Sequence, residues 1–192
     1  LLTPILWDME RKGMTIDRLG VKMQKLIYMR KLLDLETRLV EMTGREYTDS
    51  AKNLHDLFVI QNALPILGWN VKREKGRVVS RTASFDKEAL QLYQIHPLVT
   101  CDPELTELVD LVLKYRKTKQ FLSLYLEPYL GLSTEDGILH PSYRQIIRTG
   151  RMAGSHPNPM QLNKEAKALI RPRVGRAFLS ADASQVEFRW IG

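Results

Sequence analysis

Asp182 follows an apolar run, Ala177-Phe178-Leu179, and precedes a helical pattern, Ser184-Gln185-Val186-Glu187-Phe188-Arg189. A carboxylate at the end of a buried strand, beside a helix start, is a rigid place to hold a metal ion. The same residue types also make a helix N-cap, because Asp and Ser both accept hydrogen bonds from free backbone N–H groups. Taken alone, Asp182 leaves both readings open. Other chemistry-bearing residues are easier to set aside. Asp8 and Glu10 stand two apart in a helical pattern. Their side chains diverge by roughly 200°, which is wrong for a nuclease-type metal pair. The four histidines show neither His-x-x-Cys nor His-Glu-x-x-His spacing, so no structural zinc site is expected.

The whole octet decides more than its first residue. Asp182-Ala183-Ser184-Gln185-Val186-Glu187-Phe188-Arg189 resembles the Asp-Tyr-Ser-Gln-Ile-Glu-Leu-Arg signature of family A DNA polymerases, the DNA polymerase I type. Upstream, Gln145-x-x-x-Thr149-Gly150-Arg151 resembles that family's Gln-Thr-x-Thr-Gly-Arg block, and Pro157-Asn158-Pro159-Met160-Gln161 its Pro-Asn-Leu-Gln stretch. Order and spacing agree between the blocks. More loosely, Met9-Glu10-x-x-Gly13-x-x-Ile16-Asp17 matches the start of the family's polymerase region.

The resemblance implies a mainly α fold with a small α+β part. A helical thumb with an N-terminal palm-associated helix would span residues 1–135, and a partial palm residues 136–192. It implies template-directed deoxynucleotidyl transfer with two Mg²⁺ ions, which require hard oxygen ligands. Asp182 would bridge the ions and the Ala183 carbonyl would ligate one of them. Ala183 stands where the family has Tyr, which removes an aromatic contact and keeps the carbonyl. Ser184, Gln185 and Glu187 would lie around the incoming deoxynucleoside triphosphate. Glu187 would act as a steric gate against the ribose 2′-hydroxyl, which disfavours a single-subunit RNA polymerase. Arg151 would reach minor-groove acceptors common to all base pairs. Gln145, Thr149, Asn158 and Gln161 would follow the primer and template, although Pro157–Asn163 departs from Pro-Asn-Leu-Gln-Asn-Ile-Pro. Ser50, Lys52 and Arg81 would touch duplex phosphates. Gln120 stands where the family usually has Lys, a departure for which Lys117 or Lys119 would have to compensate. His55-Asp56 resembles part of a catalytic His-Asp-Glu, but it lies upstream of Asp182 and Leu57 replaces the Glu, so it is read as a chance helical dipeptide.

The family's second metal-binding carboxylate and its triphosphate-binding fingers helix both follow the Asp182 motif. The 192 residues contain neither. Arg18-x-x-x-Lys22 has the spacing of the fingers helix, but no aromatic residue stands seven beyond Lys22. The expectation is that these residues alone do not polymerise. They would need a missing fingers and palm portion, either because they are a truncated piece of the enzyme or because a second chain supplies it in a split enzyme. The alternative is a non-catalytic DNA-binding module.

The elements that must position these residues follow from periodicity. Apolar residues at three- and four-residue steps predict helices over residues 1–12 and 18–43, with Gly13 and Gly44 as stops. Asp49 or Ser50 caps a short helix carrying Leu54, Leu57 and Phe58. Residues 70–84 are basic, contain Gly76, and read as a loop or loose hairpin. Ser84 starts a helix that Pro97 ends. Residues 103–128 predict another long helix, and residues 133–144 a loop with a short strand.

Composition is ordinary for a globular chain, with 44% hydrophobic and 27% charged residues. No apolar run approaches the roughly 20 residues that span a bilayer, so no membrane partner is expected. The formal net charge of +7 suits a polyanionic partner. The single Cys101 cannot form an internal disulfide. A reducing, DNA-containing compartment fits, such as the cytoplasm of a bacterial or phage-infected cell.

Overall fold

The computed structural model describes residues 2–74, 77–145 and 152–180. The fold is mainly α with a small α+β part, and the chain divides into two compact units. One unit comprises Leu1–Lys22 with Tyr125–Gly192, the other Met23–Leu124. The sequence reading divides the chain at residue 135 instead. The boundaries between the units fall inside continuous helical stretches, where periodicity carries no punctuation.

In the first unit, α1 (Thr3–Lys12) starts with Pro4 in its first turn, where a missing N–H costs nothing. Arg11 and Lys12 complement the negative end of its dipole. It stops at Gly13, whose φ of +66° favours glycine. A Cβ there would also come within 2.4 Å of the Leu139 carbonyl oxygen. The close approach lets β1 (Met14–Thr15) pair antiparallel with β4 (Ile138–Leu139), Met14 opposite Leu139. Ile16 bridges Ile170, and the Arg171 N–H donates to the Thr15 carbonyl. Arg18 donates to the carbonyls of Ser133 and Thr134. The N-terminal segment is thereby tied to residues 133–171. Strands β5 (Ser142–Arg144) and β6 (Ala153–Ser155) form a second ladder, with Arg144 opposite Ala153.

The second unit holds the main core. Helix α2 (Arg18–Thr43) enters it at Met23 and contributes Leu39. Helix α3 (Ala51–His55) continues into a π-helical turn, Asp56–Gln61. Strands β2 (Trp69–Glu74) and β3 (Arg77–Ala83) form an exposed antiparallel hairpin with a bulge at Lys72/Arg73. Helices α4 (Lys87–Gln94), α5 (Pro97–Thr100) and α6 (Pro103–Phe121) close the unit. Phe58 stacks on Tyr93 with ring centroids 5.1 Å apart and on Phe85 at 6.0 Å. Leu54, Leu90, Val109 and Val112 pack in the same core and are fully buried.

Three local expectations are corrected. The cap of α4 is Asp86, which accepts from the Ala89 N–H; Ser84 is buried and donates its hydroxyl to Asp86 instead. Pro97 opens α5, its fixed φ suiting a first helical turn. The helix expected to residue 128 ends at Phe121. It passes through a π-helical turn, Leu122–Leu126, into α7 (Glu127–Leu132).

The α4 cap makes a pH prediction. The Ala89 N–H, and then the Ser84 hydroxyl, hold the Asp86 carboxyl below its ordinary range. A depressed folded pKa contributes stability above the unfolded value that is lost as pH falls through the folded one. Asp86→Asn keeps a capping side chain and removes that titration. Hydrogen exchange at Ala89 and Leu90 should then lose part of its acid sensitivity below about pH 4.

Candidate nucleic-acid interface and catalytic segment

In the second unit, the turn before α3 is held by an ion pair. Arg116 Nε donates to Asp49 Oδ1 at 2.7 Å, and the same guanidinium donates to the Phe85 carbonyl. Both side chains are largely buried. The pair joins three parts of the unit: the Asp49–Ser50 turn, α6, and the segment entering α4. No spacing rule finds it, because the partners stand 67 residues apart. Burial, and then the negative charge of Asp49, push the nearby Tyr47 phenol up.

The phosphate-contact candidates are all at the surface. The Ser50 hydroxyl accepts from the Asn53 N–H at 3.1 Å, so it serves as the cap of α3. Lys52 is exposed on the first turn of α3. Arg81 is exposed on β3 opposite Val71. On the neighbouring strand, Lys72 Nζ lies 3.0 Å from Glu74. Lys117 is exposed on α6. Lys119 is exposed too, with its ammonium 5.4 Å from the Tyr115 ring centroid, a cation–π contact.

In the first unit, Gln145 follows β5, and its side-chain amide nitrogen is buried and meets no acceptor among the described residues. Asn158 Oδ1 accepts from the Met160 N–H at 3.0 Å and caps a 3₁₀ turn, Pro159–Gln161. The Gln161 carbonyl accepts from the Tyr125 hydroxyl at 2.6 Å, a link that no motif predicted. Gly154 makes room for this turn, since a Cβ there would lie 2.5 Å from Pro159. The β5–β6 ladder therefore brings Gln145 and the Asn158–Gln161 turn onto one small scaffold. Thr149 and Arg151, which fall between those strands in sequence, lie outside the described residues, as do Asp182, Ala183, Ser184, Gln185 and Glu187.

The segment leading to Asp182 borders a groove of about 470 Å³. Met14 and Thr15 line part of it, with Ile170, Arg171, Arg176 and Phe178 from the incoming segment. Residues 171–180 are exposed throughout, and Val174 and Leu179 are almost wholly so. The buried strand expected to deliver Asp182 is not present in residues 177–180. Among the described residues, no group of three acidic, His or Cys side chains could hold a metal ion. Asp8 turns to Arg11 and Lys12, whereas the Glu10 carboxylate accepts the Tyr143 N–H, so the two diverge as their spacing requires. His55 Nδ1 lies 3.9 Å from Asp56 within the helical stretch. No described helix is long and apolar enough to cross a membrane.

Comparison with known proteins adds an independent line. Residues 20–192 match the profile of the family described as DNA polymerase family A. DNA polymerase I of Caldicellulosiruptor bescii is 28% identical over 198 residues, taking in 98% of this chain and 21% of that protein. DNA polymerase I of Aquifex aeolicus is 32% identical over 119 residues, or 62% of this chain and 18% of that protein. The polymerase domain of Pol1 from M. smegmatis, solved in complex with DNA primer-template and dNTP, superposes with a TM-score of 0.65 at 20% identity. The superposition covers 86% of this chain and 27% of that one, and at that identity it speaks for the fold. The chain spans about a fifth of the length of the curated relatives it matches.

Proposed function

Because this chain belongs to DNA polymerase family A, we propose that it grips primer-template duplex and supplies the first metal-binding carboxylate for deoxynucleotidyl transfer. The observation that carries the reading is the Asp182–Arg189 signature, in register with the Gln145–Arg151 block, inside a chain whose family match runs to residue 192.

Asp182 and the Ala183 carbonyl offer hard oxygen donors, which suit Mg²⁺ better than a softer metal. Two such ions, when bound, stabilise the attacking and leaving oxygens of phosphoryl transfer. The chain's own residues do the rest. Glu187 stands beside the incoming sugar and excludes a 2′-hydroxyl. Ser184 and Gln185 order the turn around the nucleotide. Arg151, with Gln145, Thr149, Asn158 and Gln161 nearby, follows the primer end through groups that every base pair shares. Arg81, Lys52, Lys117 and Lys119 meet phosphates.

One carboxylate does not complete a two-metal site. These 192 residues therefore depend for synthesis on a second carboxylate and a fingers element from outside them, on the same or a second polypeptide. A non-catalytic duplex-binding module is the second reading, and the two differ in whether added palm and fingers elements restore synthesis.

Duplex binding is tested by fluorescence anisotropy on a recessed primer-template between 50 and 200 mM salt. Arg81→Ala should weaken binding several-fold at the low-salt end. It should also reduce the slope of log affinity against log salt by about 0.9, the loss of one phosphate contact. An unchanged slope would remove Arg81 from the interface. A chain with no affinity for duplex would overturn the reading as a whole.

A further inference from the structure

We infer that the outer face of α2 is a self-association surface, pairing antiparallel with α2 of a second copy of the chain. The inner face of this helix is accounted for: Leu39 is buried and Leu32, Leu35 and Met42 pack on the core. Its outer face is apolar as well. Met23, Leu26, Leu33 and Val40 are 57%, 68%, 58% and 39% exposed, with Ile27 and Met29 beside them. Together with Arg30 and Thr37, these four step along the helix by alternating threes and fours. That is a heptad seam, the spacing with which one helix packs along another. Exposed apolar surface of this length and regularity marks an interaction site.

The seam's own symmetry selects the partner. A two-fold axis between residues 31 and 32 sets Met23 against Val40, Leu26 against Thr37 and Arg30 against Leu33. Every apolar residue of the seam then meets an aliphatic side chain, a Thr methyl or the stem of Arg30. Arg30 is the one charged residue of the seam, and Asp34 is its intrachain partner at 3.3 Å, with side chains 80% and 65% exposed. Across the two-fold, Arg30 of each copy meets Asp34 of the other, so the same pair forms twice between chains. Parallel pairing in register would instead stack Arg30 on Arg30. The wider charge pattern agrees. Lys22, Lys25, Arg30 and Lys31 occupy the first half without an acid, whereas Asp34 and Glu41 fall in the second; Glu36 turns inward and accepts the Tyr115 hydroxyl. Arg38 in that half is engaged by Glu107 and Glu41. The surface between Met23 and Val40 is only about 26 Å long. A contact of that size is weak and concentration-dependent, with a dissociation constant on the order of micromolar. It rests on the helix alone and is independent of the polymerase reading.

Analytical ultracentrifugation of the chain from about 1 to 300 μM tests it. The expected result is a reversible monomer–dimer equilibrium. Leu33→Glu should weaken it at least tenfold with unchanged circular dichroism, since that side chain is exposed. R30E should weaken it, and R30E/D34R should recover most of the loss. In a C101S background, oxidation should link M23C/V40C into covalent dimers and leave M23C monomeric. A chain that stays monomeric throughout overturns the inference and leaves the seam to another segment or partner. Dimers unaffected by Leu33→Glu, or M23C dimers on oxidation, overturn it equally.

Discussion

Asp182→Ala should reduce templated primer extension by at least about 1,000-fold in kcat when the 192 residues are combined with the remaining palm and the fingers of a family A polymerase. That is about 4 kcal/mol of transition-state stabilisation, the loss expected if Asp182 has the metal-binding role proposed for it. The duplex contacts assigned to Arg81, Lys52, Lys117 and Lys119 lie elsewhere, in Met23–Leu124, so the affinity for primer-template should stay within about twofold. Asp182→Asn separates charge from shape: it keeps an oxygen donor and loses the anion, and extension should fall nearly as far. Activity retained within tenfold in either variant would exclude Asp182 as a metal ligand.

The largest structural effect is expected at Arg116. Arg116→Met removes the guanidinium that faces Asp49 at 2.7 Å and also serves the Phe85 carbonyl. It leaves a largely buried carboxylate without its counter-charge, and such unpaired groups cost more than the intact pair contributes. The side chains retain some exposure, 26% and 17%, so the cost should be about 2–3 kcal/mol, below the range for fully buried pairs. A second change, Asp49→Asn, should recover part of it, because the orphaned charge is then gone. The chain has two units, so a single unfolding midpoint is a poor readout. Hydrogen exchange of the α6 amides reports the right unit, and protection there should fall by roughly 30- to 150-fold, the same free energy expressed as an opening constant. Unchanged protection would mean that the pair is ornamental. If duplex binding falls with protection, the Asp49–Ser50 turn is part of the gripping surface.

Much of the fold was legible in the sequence where local rules decide. Gly13 and Gly44 end α1 and α2 as their positions require, and Ser50 caps α3. Local rules failed where two residues could play one part. Ser84 and Asp86 are both good caps, and only the backbone path shows that Asp86 reaches the Ala89 N–H. They also failed for α2, where periodicity found the apolar positions but not which of them face the core. The reason is physical: the helix is apolar on two sides, so no single direction dominates its pattern. Contacts distant in sequence were invisible, as with Arg116 and Asp49, or Tyr125 and the Gln161 carbonyl. The segment carrying Asp182 stands the other way round. Its octet is readable as a motif from residue types alone, yet Asp182 and Glu187 lie outside the described residues. Of the proposed primer-side residues, the fold places Gln145, Asn158 and Gln161 around the β5–β6 ladder, which gives the motif a scaffold.

The most direct measurement is primer extension by the wild-type chain mixed with a polypeptide carrying the remaining palm and the fingers of a family A polymerase, in Mg²⁺. Template-dependent addition of deoxynucleotides that neither part performs alone is the predicted result. Tight duplex binding by the mixture, with no nucleotide added at any metal or protein concentration, would contradict the catalytic role and leave only a DNA-gripping module.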